Sequence, residues 1–350
     1  MKNILLYGAN GFTGRLILKC LLEKGLSPVL AGRNSNEIQQ LANKHGLKHR
    51  IFSLEEESKI IQGLDGIKVV IHAAGPFMFT AEPMVRACLK SKVHYLDITG
   101  EIDVFEMCSS YDSKAKEAGV MVMPGAGFDV VPSDCLAVHL KERLPDADKI
   151  QLAFAGLGGG VSRGTAKTVI ENLGNGGAVR KNGKIVIVPN AHKTLTIDFG
   201  ESKMLCACIP WGDVATAWRS TGIPNIEVFT AVNKSMVMGM KMGNYFDWLL
   251  KTPFVKSFLR KRVDSSPPGP SEERRKKARS YFWGKVTNPD GKSCVTLQQT
   301  PEGYTLTAET SVFITQKILE GSFKVGYQTP AMAFGPDFIL QIAGCERNDL

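Results

Sequence analysis

The chain has 350 residues, 43% hydrophobic and 22% charged, with a formal net charge of +9. That length leaves room for two domains with a core each, and the composition excludes a disordered tail or a filament. No apolar run approaches the roughly 18 residues that a spanning helix needs.

Eight cysteines are scattered along the chain. Cys206 and Cys208 would share one face of a strand, but no second Cys or His pair stands at metal-ligand spacing, so no metal site is expected. Nothing upstream of Lys2 could be a cleaved signal, and the expectation is a reduced, cytoplasmic chain.

Residues 4–7, ILLY, predict a buried strand, and Leu16, Ile17, Cys20 and Leu21 recur at helical spacing just beyond. Between them Gly8, Gly11 and Gly14 form GxxGxxG around Asn10, Phe12 and Thr13. Glycines there permit a tight turn and let a pyrophosphate approach the unpaired N–H groups of a helix start, while Gly14 lets helix and sheet pack closely. The next apolar strand, SPVLAGR, ends at Gly32-Arg33-Asn34, where a carboxylate would select ribose 2′-hydroxyls. A guanidinium at that point pairs instead with a 2′-phosphate. The pattern predicts an NADP(H) site; an ordinary turn with a solvent-facing Arg33 is the plainer alternative, disfavoured by the strand, turn, helix, strand context.

A polar helix over 35–45 and a short strand near 50–53 follow. The strand at 67–72 ends in Ala73-Ala74-Gly75-Pro76-Phe77, small residues at the edge where the nicotinamide half of a cofactor would lie. Glu82-Pro83 predicts a helix opening that runs through Leu89. A strand over 93–98 leads to Thr99-Gly100-Glu101, a helical pattern covers 103–117, and a strand over 120–123 delivers PGAGFD. This alternation predicts an α/β fold with a doubly wound parallel sheet of the Rossmann type. Tyr95, Asp97 and Asp129 are the candidates to supply a proton near the hydride acceptor, although an Asp after a strand is also a common cap.

The second half reads as an α+β domain on a mainly antiparallel sheet, with strands near 149–155, 184–188, 194–199 and 227–232. A late hairpin is expected from 293–298 to 304–308 around Pro301-Glu302-Gly303. In GLGGGVSRGT, the helix start at Ser162, Arg163, Gly164 and Thr165 could hold an anionic group of a substrate, or be a simple capped start. Tyr281 and Lys285 match YxxxK spacing, but Phe282, Trp283 and Val286 suggest a strand, which separates the two side chains by about 13 Å.

Charge is uneven: ten Lys/Arg against three Asp/Glu lie between Lys256 and Lys285. One reading is a solvated helix with Ser271 as N-cap and Glu272 and Glu273 in its first turn. The other takes the bulky apolar residues from Tyr245 to Leu259, interleaved with Lys251, Lys256 and Arg260 to Arg262, as a segment lying on an anionic membrane surface.

Taken together, YGANGFTGRL, AGRN, AAGPF, HYLDITGE, PGAGFDVVPSD, SRGT, PPGPSEERR and GYQTPA resemble the saccharopine dehydrogenase-like oxidoreductases, particularly the branch of trans-acting enoyl reductases. The resemblance implies an NADP-binding Rossmann domain over residues 1–130, a substrate or association domain over 131–325, and a segment over 326–350 that returns to the first. It also implies reduction of a polarised C=C or C=N bond in a small-molecule or carrier-linked substrate. A non-catalytic NADPH-binding module that associates with a membrane surface or a protein stays open beside it, as does a homo-oligomer. Nucleic acid is not an expected partner, since no recognisable module accompanies the basic run. The expected placement is cytoplasmic from the cysteine pattern, with peripheral placement at the inner membrane surface as what the second reading of the basic segment adds.

Overall fold

Four fully buried residues form the strand on which the first sheet is centred, β1 (Ile4–Tyr7), in a computed structural model that describes residues 4–350. The chain alternates from there: α1 (Phe12–Glu23), β2 (Val29–Gly32), α2 (Ser35–His45), β3 (His49–Ile51), α3 (Glu57–Gly63), β4 (Val69–His72), α4 (Phe77–Ser91), β5 (His94–Asp97), α5 (Ile102–Ser110), α6 (Asp112–Ala118) and β6 (Met121–Met123). The strands pair in parallel in the order β6-β5-β4-β1-β2-β3. After β3 the chain crosses back to β4 on the other side of β1, so the connections leaving β1 and β4 part at their carboxyl ends. Such a switch point opens a crevice at the sheet edge.

α4 begins earlier than the Glu82-Pro83 dipeptide suggests. Both oxygens of Glu101 accept from the first turn, Phe77 N at 2.8 Å and Met78 N at 2.9 Å. That cap from outside the helix fixes its start, and Pro83 sits inside it. The proline lacks the N–H that the fourth preceding carbonyl would accept, a cost the buried face of Phe77, Ala81, Met84 and Val85 outweighs.

Contacts divide the chain into two units, the first running to Val131 and resuming over Tyr304–Phe334, the second comprising Pro132–Gly303 and Gly335–Leu350. The second holds most of α7 (Val131–Arg143), then β7 (Lys149–Leu157), α8 (Arg163–Glu171), β8 (Gly177–Lys181), β9 (Lys184–Val188), β10 (Thr194–Asp198), β11 (Lys203–Cys208), α9 (Asp213–Thr221), β12 (Asn225–Ala231), α10 (Lys234–Gly243), α11 (Asp247–Leu250), α12 (Pro253–Asp264), α13 (Glu272–Lys277), β13 (Arg279–Thr287) and β14 (Ser293–Pro301). Its sheet is mixed and mostly antiparallel, with β12 and β7 the parallel neighbours. Tyr281 to Lys285 lie within β13, as the flanking aromatics predict. Phe282, Gly284 and Val286 alternate into the core, where a Cβ on Gly284 would come within 2.5 Å of Leu140.

The predicted late hairpin is only half present. β14 pairs with β13, but residues 304–308 belong to α14 (Gly303–Leu319). Tyr-Thr-Leu-Thr has strand propensity, yet the hydroxyls of Ser311 and Thr315 each donate to the carbonyl four residues back, and Thr310 shares its one proton between the carbonyls of Leu306 and Ala126. That satisfies them within a buried helix, and tertiary packing overrides propensity. α14 lies in the first unit, followed by β15 (Gly326–Tyr327), parallel to β6, and α15 (Pro330–Phe334). The C-terminal segment therefore differs from the expected 326–350: the return starts at Tyr304, and the last residues leave again as β16 (Glu346–Asp349), antiparallel to β14.

Candidate functional site

The glycine turn sits between β1 and α1 at the switch point. Gly8 has φ +83°, and a Cβ there would lie 2.8 Å from Ala73 C, so this glycine answers both to a left-handed backbone and to the neighbouring loop. A Cβ on Gly14 would stand 2.2 Å from Gly8 O, which makes Gly14 the closest packing point between α1 and the turn. Gly11 is the N-cap of α1, no side chain caps that helix, and its first turn carries no acidic residue. An uncapped helix start beside glycine backbone is a ready anion site, so the residues fit a dinucleotide pyrophosphate. Thr13 and Asn10 are half-buried around it, and Phe12 packs edge-on against Tyr304 at 5.2 Å.

At the end of β2, Gly32 is buried and Arg33 and Asn34 are exposed. Arg33 makes no hydrogen bond or ion pair among the described residues, leaving its guanidinium available for a phosphate. Asn34 caps α2 through its side-chain oxygen, which accepts from Glu37 N at 3.2 Å. Glu37 is a residue that the motif reading passes over. Its oxygens accept from Asn10 Nδ2 at 2.9 Å and Asn34 Nδ2 at 2.7 Å, stapling the glycine turn to the end of β2. The signal was present as a capping box, Asn followed three residues later by Glu.

The loop after β4 lies across the turn from Gly8. Ala73 and Ala74 are half-buried, Gly75 is exposed and Pro76 precedes α4 as its N-cap. Phe77 is the exception in that stretch: its ring is buried edge-on to His72, and its amide is taken by Glu101. Phe77 thus packs its ring into the core at the end of the loop that the motif singles out.

Tyr95 and Asp97 are fully buried. Tyr95 Oη donates to Asp97 Oδ2 at 2.7 Å, and Asp97 Oδ1 accepts from Thr99 N and Gly125 N, each at 2.9 Å. Because the phenol's one proton goes to Asp97, the 3.2 Å contact with His72 requires His72 Nδ1 to be the donor. Burial drives the His72 pKa down to about 3, so the ring is neutral, and drives Asp97 up to about 6 against the pull of its three donors. This chain positions the loops after β5 and β6; neither Tyr95 nor Asp97 presents an atom to solvent.

Asp129 differs. Its Oδ1 is buried and has no hydrogen-bond partner among the described residues, and burial raises its pKa to about 7. A Cβ on Gly100 would lie 2.7 Å from Asp129 Oδ2, so the carboxyl group rests against the loop after β5. The loop carrying it is held from α14: Thr307 Oγ1 accepts from Phe128 N at 3.0 Å, and Thr310 Oγ1 donates to Ala126 O at 2.8 Å. These helix residues were invisible to a reading that made 304–308 a strand, although Thr307, Thr310 and Ser311 stand at helical spacing.

In the second unit, Ser162 caps α8, accepting from Thr165 N at 3.2 Å. Arg163 Nε donates to Ser266 O at 2.6 Å, and Arg163 N to Pro268 O at 3.2 Å. Ser162, Arg163, Gly164 and Thr165 thus form a capped helix start anchored to the segment before α13.

Residues 4–123 match the family model described as the saccharopine dehydrogenase NADP binding domain. A saccharopine dehydrogenase-like oxidoreductase of Mus musculus is 28% identical over 204 residues, 51% of this chain and 48% of that protein. A trans-acting enoyl reductase of Mycobacterium ulcerans (strain Agy99) is 28% identical over 165 residues, 44% of this chain and 39% of that one. The match covers about half the length of the first of these relatives. Among solved structures, apo saccharopine dehydrogenase (L-Glu forming) from Saccharomyces cerevisiae covers 100% of both chains with a TM-score of 0.67 at 14% identity, a likeness of fold. Over residues 4–123, within the first unit, the chain is thus similar to the saccharopine dehydrogenase NADP binding domain.

Proposed function

We propose that this protein is an NADPH-dependent reductase that delivers hydride to a polarised C=C or C=N bond, with Asp129 as the proton donor. The observation that carries the proposal is the carboxyl group of Asp129, its Oδ1 buried without a hydrogen-bond partner among the described residues, in the same Rossmann unit as an uncapped glycine turn and an unpaired Arg33.

The nicotinamide supplies the hydride when the cofactor is bound; the chain's residues bind, orient and protonate. The amides at the start of α1 receive the pyrophosphate, and Arg33 receives the 2′-phosphate. Ala73 and Ala74, with one methyl group each, and Gly75, with none, leave room where a nicotinamide ring would lie close to backbone. Asp129, with a pKa near 7, holds a proton that an ordinary surface aspartate would have lost, which is the condition for a general acid at neutral pH. Asp97 and Glu101 act through others, fixing the loop of Gly125 and the start of α4.

A titration of NADPH and NADH by nicotinamide fluorescence, followed by enoyl thioesters and amino-acid/keto-acid pairs, tests this reading. Preferential NADPH binding with turnover on one panel supports it and names the bond type. NADPH binding without turnover on any acceptor favours the non-catalytic module, and no binding overturns the cofactor assignment.

A further inference from the structure

α10, α11 and α12 follow one another without contributing a single buried side chain. Nine of the twenty large apolar side chains that stand exposed among the described residues fall between Met236 and Phe258. Tyr245 and Phe254 are each 81% exposed and Trp248 71%. Soluble surfaces scatter such residues singly; a run of them marks an interaction site.

The helices are two-sided. On α12, Lys256 and Arg260 share one side and hold the helix to the end of α8, Lys256 Nζ donating to Glu171 O at 2.5 Å and Arg260 Nε to Glu171 Oε1 at 2.8 Å. Phe254 and Phe258, four residues apart, share the opposite side with Lys261 one turn on. α10 repeats the pattern: Met238 and Met242 lie on one exposed side, with Lys234 and Lys241 next to Met238 in the helical lattice.

Charge decides what covers this face. Between Lys234 and Arg262 there are seven Lys/Arg and one acidic residue, Asp247. Five of the cations, Lys234, Lys241, Lys251, Lys261 and Arg262, are exposed and make no hydrogen bond or ion pair among the described residues. A second copy docked face to face would set these cations against themselves. An anionic bilayer accepts all of them while taking the Phe, Trp, Tyr and Met side chains into its headgroup and acyl boundary. No helix among the described residues is long and apolar enough to cross a membrane.

We propose that α10–α12 form a docking surface by which this protein lies on an anionic lipid bilayer. The proposal is independent of the cofactor reading.

The test is co-sedimentation of the full chain with phosphatidylcholine vesicles, with and without phosphatidylglycerol, together with tryptophan emission. The expected result is partition onto the phosphatidylglycerol vesicles, weakened by salt, with a blue shift that Trp248→Phe removes. Phe254→Ser/Phe258→Ser and Lys261→Glu/Arg262→Glu each lower that partition by about ten-fold or more, with circular dichroism unchanged because the replaced side chains are exposed. The proposal is overturned if the wild-type chain stays in the supernatant, if it binds neutral and anionic vesicles equally, or if both double variants bind as it does. It is also overturned if analytical ultracentrifugation shows a self-associated species that Phe254→Ser/Phe258→Ser dissolves while vesicles are ignored.

Discussion

Asp97 and Asp129 stand in the loops and strand ends of one sheet edge and share burial, but not donors. Three donors hold Asp97, and its pKa reaches about 6; no partner meets Asp129 Oδ1, and that pKa reaches about 7. Unsatisfied burial keeps a proton where a hydrogen-bonded carboxylate would release it. On the proposed function, the reduction rate falls as pH rises through about 7, and Asp129→Asn lowers kcat by roughly 10² to 10⁴-fold with NADPH affinity retained. Stability carries a second reading of the same group. Its folded pKa lies above the unfolded value of about 3.9, so the folded chain binds the extra proton between the two, and the stability Asp129 contributes is lost as pH rises through that window. Melting curves should show the wild type losing stability relative to Asp129→Asn from about pH 4 to pH 7; parallel curves would mean an ordinary aspartate. At the adenosine end, Arg33→Ala should weaken NADPH by about 10 to 150-fold and leave NADH nearly unchanged, since only the former loses a charge-assisted contact worth roughly 1.5–3 kcal/mol. Equal losses would remove Arg33 from the 2′-phosphate site.

Elements differ in how openly they write themselves into sequence. β1, β2 and β4 are short apolar runs stopped by glycine or a small-residue turn, so their place and the glycine crevice were legible. α14 was not. Its buried side mixes Leu306, Val312, Ile314 and Ile318 with Thr307, Thr310, Ser311 and Thr315, and that mixture shows neither an apolar stripe nor a helix former's composition. Two of the polar residues have a job at the sheet edge, Thr310 donating to Ala126 O and Thr307 accepting from Phe128 N, while Ser311 and Thr315 are satisfied within the helix. α4 misled for a related reason: its true start is fixed by Glu101, a residue of another loop. If α14 positions the Asp129 loop, Thr307→Val keeps the side chain's shape but removes the acceptor for Phe128 N. The expected cost is about 1–3 kcal/mol of stability, with kcat falling further than NADPH affinity. A variant with wild-type melting and turnover would make that contact incidental.

At the scale of the molecule, the first unit is built from two stretches of chain separated by the whole of Pro132–Gly303. The first stretch alone leaves β6 as an edge strand, lacking the parallel partner β15, and leaves the 126–128 loop without α14. The two stretches can be joined directly. Phe128 N lies 3.0 Å from Thr307 Oγ1, and each of these residues is three from its end of the break at Val131 or Tyr304. Six extended residues and the side-chain contact bound that gap at roughly 27 Å, which a linker of about 15 Gly/Ser residues spans with slack. Residues 1–131 alone should therefore show weak or no NADPH binding and little amide protection in β6, whereas 1–131 linked in this way to 304–334 should bind NADPH with a defined thermal transition. Should the short fragment bind as tightly as the full chain, the return of Tyr304–Phe334 is dispensable to the cofactor site, and the role of α14 is confined to the Asp129 loop.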